Sequence, residues 1–135
     1  MGRHLLQVEM TPLYGLLCIH DPECSDVPQF ETGEERVVAN WQWITIPVRY
    51  DLDGPVQVNV VDGDVEEPAG ELIFSGSIML TGEKLRIGSG YPHDPNDYDV
   101  WVGRAGETRI KIFGEPANEP PHRVTVCIET ADRST

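Results

Sequence analysis

Residue types able to bind ions or move protons gather at a few places in the chain. His20, Asp21, Glu23 and Cys24 stand in the run H-D-P-E-C, and His93-Asp94 lies close to Asp97 and Asp99. Neither run has the repeated Cys or His spacing of a zinc site, so both are expected to be solvated loop residues near turns. A His and carboxylate site would require the two loops to meet at one end of the fold. DLDG at 51–54 and DGDVEE at 62–67 offer the oxygen ligands a hard cation wants. DGDVEE lacks the D-x-D-x-D-G-x5-E calcium pattern, and a strand rising about 3.3 Å per residue would hold the two loops about 25 Å apart. Ser75 and Ser77 in FSGSIM do not form a G-x-S-x-G elbow, a motif that belongs to a strand-turn-helix setting. No catalytic residue, metal ligand or cofactor is assigned, and the chain is read as a non-enzyme.

Charge is the other chemical signal. The chain has 135 residues with 23 Asp and Glu against 10 Lys and Arg, a net charge of −13. That balance argues against nucleic acid, whose phosphates are held chiefly by Lys and Arg, and suits a basic protein partner. Residues 50–83 hold eight carboxylates and no Lys or Arg. Asp51, Asp53, Asp62, Asp64, Glu66 and Glu67 are the candidate contacts, with Trp41, Trp43, Tyr50 and Tyr91 as the aromatic anchors such an interface needs.

These residues sit on short strands and turns. Leu6, Val8 and Met10 alternate with polar neighbours until Pro12, and residues 13–19 form a second apolar run before the long loop 20–35. Residues 41–50 put Trp41, Trp43 and Thr45 on one side and Ile44, Ile46 and Val48 on the other, with Pro47 marking an edge or a bulge. Asp53-Gly54 is expected to close a hairpin onto residues 55–61, bringing Val56, Val58 and Val60 to the core. Alternation over 71–80 turns Leu72, Phe74, Gly76, Ile78 and Leu80 inward, with Gly76 as the place to bend. Strand signals recur at 84–87, 98–102, 108–113 and 123–129, separated by the turn-rich segments 88–97 and 115–122.

No segment has a helical period, so the apolar faces must bury one another. The expected fold is all-β, an antiparallel β-sandwich of jelly-roll type with about eight or nine short strands in a single domain over residues 1–135. No run has the length of a membrane span and the N-terminus lacks a secretory apolar region, which reads as cytoplasmic. Cys18, Cys24 and Cys127 are accordingly expected as reduced thiols, with a Cys18 to Cys24 bridge as the alternative.

The order of an apolar run containing Tyr14, then GPVQVNVVD, FSGSIMLTGEKLRIGS, VGRAGETRIKIFG and a last RVTVCIE strand resembles the small bacterial β-sandwich proteins related to the competence-associated nuclease inhibitor. The resemblance implies an acidic, non-catalytic inhibitor or immunity protein that neutralises a basic nuclease or toxin domain, and it assigns no individual residue. The alternative is a sandwich module that binds carbohydrate or calcium through its end loops, with Trp41, Trp43 and Trp101 as a sugar platform.

Overall fold

The computed structural model describes residues 3–63, 70–90, 97–116 and 119–130. Among them, ten strands form two five-stranded sheets with two short 3-10 turns and no α-helix. In order across the first sheet lie β1 (Arg3–Met10), β5 (Val56–Asp62), β10 (Arg123–Thr130), β9 (Gly106–Glu115) and β6 (Glu71–Leu80). Across the second lie β3 (Val38–Ala39), β4 (Trp43–Pro47), β2 (Leu16–His20), β7 (Lys84–Gly88) and β8 (Tyr98–Trp101). Neighbours are antiparallel except β5 and β10, which run parallel, where antiparallel pairing throughout was expected. No helix among the described residues is long and apolar enough to cross a membrane.

Period-two alternation builds one core from both sheets. Val56, Val58 and Val60 of β5 and Val124, Val126 and Ile128 of β10 face Ile44 and Ile46 of β4, Leu17 and Ile19 of β2, and Leu85 and Ile87 of β7 in a single buried cluster. Each such side chain contributes about 1.5–3 kcal/mol when it leaves water. Pro47 sits where β4 has only β2 beside it, because β3 stops opposite Ile44 and Thr45. The missing donor therefore leaves no ladder bond unmade.

The structure corrects the expected local pairings at two places. Residues 41–50 and 55–61 do not form a hairpin: β4 and β5 lie in opposite sheets, and Asp53-Gly54 belongs to a corner that carries the chain across the sandwich. Both strands still turn their apolar sides to the same core, which is why alternation alone could not separate hairpin from corner. In β6 the irregularity falls at Ile73, between the Leu72–Phe113 and Phe74–Ile112 pairs, and not at Gly76. One extra residue there reverses the faces. Leu72 turns outward at 49% exposure, and Ile73 packs against the core in its place. Gly76 remains in the ladder beneath the Phe74 ring, whose Cζ would lie 2.9 Å from a Cβ at that position.

Candidate functional site

One end of the sandwich collects exposed aromatic and apolar groups among carboxylates. Pro12 ends the alternation of β1, and the 3-10 turn Leu13–Gly15 closes with the Gly15 amide donating to the Pro12 carbonyl at 3.0 Å. Tyr14 takes a left-handed backbone, φ 59°, followed by Gly15 at φ 67°. A non-glycine residue in that region is uncommon and costs about 1–3 kcal/mol. Gly15 is required twice over, by its φ and by close approach: an added Cβ would lie 3.0 Å from the Val48 oxygen and 3.2 Å from the Tyr50 Cα. The Val48 amide donates to the Gly15 carbonyl at 2.8 Å, locking this turn against the chain that leads to Tyr50.

The second 3-10 turn, Asp51–Asp53, packs beside the first, its Asp53 amide donating to the Tyr50 carbonyl at 2.8 Å. Together the two turns display Leu13, Tyr14, Tyr50 and Leu52, with Tyr14 at 62% and Leu52 at 83% exposure. Exposed apolar groups clustered in this way mark an interaction surface more than scattered ones do. Beside them runs a groove of about 610 Å³ lined by Tyr14, Phe30, Pro47, Tyr50, Asp53, Glu119, Pro120 and His122. A neighbouring groove of about 470 Å³ shares Gly33, Pro47, Glu119 and Pro120 and adds Glu34, Glu35 and Arg36.

The 31–35 loop, whose Gly33 lines both grooves, is tied by one side chain. The Glu35 carboxylate accepts from the amides of Glu31, Thr32 and Glu34 and from the Thr32 hydroxyl. Hydrogen bonds from the Glu31 backbone and the Thr32 side chain hold its carboxyl down at about 2, against 4.5 ordinarily. Arg49 turns back on its own chain, its guanidinium donating to the Pro55 carbonyl at 3.2 Å, and Arg36 pairs with Glu71 at 2.8 Å. Asp53, Glu119, Glu34 and Glu35 thus outnumber the cations that line the two grooves.

Of the residues singled out in sequence, the structure brings Tyr50, Asp51 and Asp53 together at this end. It does not bring Asp62 or Trp41 to them. Asp62 closes the far end of β5 and is buried at 6% exposure. Trp41 is exposed beyond the far end of β4, where its carbonyl accepts from the Met79 amide at 2.7 Å. Trp43, a candidate anchor together with Trp41, is buried at 2% exposure and offers no surface to a partner. Its ring stacks on His20 with centroids 3.7 Å apart, and its indole donates to the Thr45 hydroxyl at 2.9 Å. Asp64, Glu66, Glu67 and Tyr91 lie outside the described residues. Leu13, Tyr14, Phe30 and Glu119 were missed. Only the Pro12 to Gly15 turn around Tyr14 carried a local signal for them.

The H-D-P-E-C run is also corrected, since His20 and Asp21 are buried and not solvated. Asp21 ties the far end together: its carboxylate accepts from the Glu23 amide, the Gln42 side-chain amide, and both the amide and the hydroxyl of Thr81. His20 Nδ1 meets the Asp21 carbonyl at 2.9 Å; a carbonyl only accepts, so Nδ1 carries the proton. His20 Nε2 is buried with no hydrogen-bond partner among the described residues, and burial pushes the imidazole below its usual range. Cys18, buried beside Thr45, has its thiol pushed up by desolvation, whereas Cys24 lies in the loop against the Asp26 carbonyl. None of the three cysteines is in a disulfide. No group of three or more metal-ligating side chains occurs among the described residues.

A second exposed aromatic, Trp101, is 60% exposed in β8 at the far end, in a concavity of about 290 Å³ with Asp21, Glu83, Arg86 and Asp99. Arg86 and Asp99 form a two-pronged ion pair at 2.7 and 3.1 Å. The hydrogen bond from Arg86 holds the Asp99 carboxyl below the usual carboxylate range.

No protein-family model matches the chain. No curated protein matches its sequence. Two solved structures match over 97% of the chain. ComJ, inhibitor of the DNA degrading activity of NucA, from Bacillus subtilis, is similar with a TM-score of 0.71 and 9% identity, covering 97% of this chain and 99% of that one. Crocagin biosynthetic gene J is similar with a TM-score of 0.58 and 13% identity at the same coverage. At these identities the likeness is one of fold, and at that level it agrees with the resemblance drawn from the strand order.

Proposed function

We propose that this chain is a single-domain, non-catalytic acidic binding protein that captures and neutralises a basic partner, as an inhibitor or immunity protein for a nuclease or toxin domain. The observation that carries this reading is the likeness in fold, from end to end, to an inhibitor of a DNA-degrading protein. A net charge of −13 supports it, because a field of one sign steers a basic partner into encounter. Charge gives rate and selectivity; affinity needs desolvated anchors. Tyr50 beside Asp51 and Asp53 is the contact set proposed, with exposed Leu52 between the carboxylates.

Capture of interacting proteins by the full chain from its native cells, with identification by mass, tests the reading. A basic protein is expected, released by high salt and lost when Asp51 and Asp53 are both replaced by lysine. Failure to capture any basic protein, or one held equally well by the lysine variant and at high salt, contradicts it. A second reading, carbohydrate binding, is favoured by Trp101 standing exposed beside the fixed Arg86–Asp99 pair. A glycan that raises the melting temperature of the native chain but not of Trp101→Ala would support that alternative.

A further inference from the structure

From the groove at the corner end we infer that the partner presents a Lys- or Arg-bearing segment, seated across Tyr14 and Tyr50 with its cation toward Asp53 and Glu119. The inference rests on the reading above and names the surface and the chemistry of its occupant.

Three observations lead to it. Tyr14 and Tyr50, 62% and 46% exposed, line one groove with Phe30, so a cation or its alkyl stem laid along it meets aromatic surface. Asp53 and Glu119 line the same groove and Glu34 and Glu35 the adjoining one, while the two arginines of the lining are engaged, Arg49 with the Pro55 carbonyl and Arg36 with Glu71. The occupant that complements this field is a positive segment, and an acidic or purely apolar one would leave the carboxylates uncompensated. The third observation is preorganisation. The left-handed backbone of Tyr14 and the close fit of Gly15 against Val48 and Tyr50 fix the tyrosine side of the groove, and the Glu35 carboxylate ties the loop that brings Gly33 to it. Little ordering then remains to oppose binding. The far end differs: among the described residues Trp101 is the one aromatic side chain lining its concavity, and Asp21 and Asp99 there are already engaged by the Thr81 and Gln42 donors and by Arg86.

Nuclear magnetic resonance of the isotopically labelled full chain, titrated with a blocked Gly-Arg-Pro-Arg-Gly peptide and with its Glu counterpart, tests the assignment. The arginine peptide is expected to shift the amide signals of Tyr14, Gly15, Phe30, Tyr50 and His122, and the glutamate peptide is not. Raising salt from about 50 to about 500 mM should weaken the effect severalfold. Tyr14→Gly removes the ring at a backbone conformation glycine adopts freely, so it folds, and it should weaken binding about fivefold or more; Tyr50→Ala should do the same. Shifts centred on Trp101, no shifts at all, or affinity unchanged in both variants would overturn the inference. A cellular partner captured equally well by Tyr14→Gly and Tyr50→Ala would also overturn it while leaving the inhibitor reading intact. Arginine-peptide binding in the groove without any basic protein captured would uphold the groove chemistry and sink the inhibitor reading.

Discussion

Replacing Asp21 by alanine should be the most damaging single polar substitution in the described structure. The residue is 1% exposed, and its two oxygens accept from the Glu23 amide at 3.3 Å, the Gln42 side chain at 3.2 Å, and the Thr81 amide and hydroxyl at 3.1 Å each. Hydrogen bonds to a charged acceptor are worth about 1.5–3 kcal/mol each. Glu23 and Thr81 lie at exposed positions, so water can reach their donors once the carboxylate is gone, and the low end of that range applies to a total below simple addition. A loss of about 3 kcal/mol follows for Asp21→Ala. Asp21→Asn, which keeps one acceptor but turns an amide group toward donors, should lose about half as much. In urea unfolding with a slope near 2 kcal/mol/M, the alanine variant should shift the midpoint down by about 1.5 M at unchanged slope. A shift below about 0.5 M would refute the view that this carboxylate ties the β2 end to the turn between β6 and β7.

Other consequences are open to simple measurement. Gly15→Ala should destabilise by about 1–3 kcal/mol in the same urea assay, because φ 67° and the 3.0 Å approach to the Val48 oxygen both oppose a side chain. Its effect should fall on the Tyr14 turn, read as loss of arginine-peptide binding at temperatures where the fold persists. Stability should depend on pH through His20. Its folded-state pKa lies below the ordinary 6.5, so the unfolded chain binds the extra proton first. The stabilisation is complete above about 6.5 and is lost as pH falls through the lower folded-state value; His20→Gln should flatten that limb of the stability curve. A native protein equally stable on both sides of that range would contradict the assignment. Burial is the largest cause and sets the direction: the Asp21 carbonyl and the Asp21 and Asp99 charges raise the value, and Arg86 lowers it. Thr32→Val, which removes one donor to the Glu35 carboxylate, should raise that group from about 2, as read by carboxyl chemical shifts against pH.

Much of the fold was legible because buried strands repeat every two residues, and Val56, Val58, Val60, Val124, Val126 and Ile128 could face nothing but a core. What escaped was pairing. Asp53-Gly54 serves a hairpin or a corner equally well, and a bulge at Ile73 leaves no mark in a run where Leu72, Ile73 and Phe74 are all apolar. Alternation puts Trp43 on the side of its strand opposite Ile44 and Ile46. Alternation cannot show that His20 stacks over that face, or that Gly90 packs so close that an added Cβ would sit 3.0 Å from the Trp43 ring. The site was half legible for a related reason. Tyr50, Asp51 and Asp53 are contiguous, but Tyr14, Phe30 and Glu119 join them only through the packing of three separate loops against one corner.

Neutralisation of a basic partner is the property on which the proposed function depends most directly. The direct measurement is the rate of DNA degradation by a nuclease captured with this chain, followed as the purified chain is added. Activity should fall in proportion to added protein and vanish near equimolar ratio, with Tyr14→Gly and the paired Asp51→Lys and Asp53→Lys variants requiring a large excess. Degradation that continues undiminished with the chain in excess at low salt would contradict it.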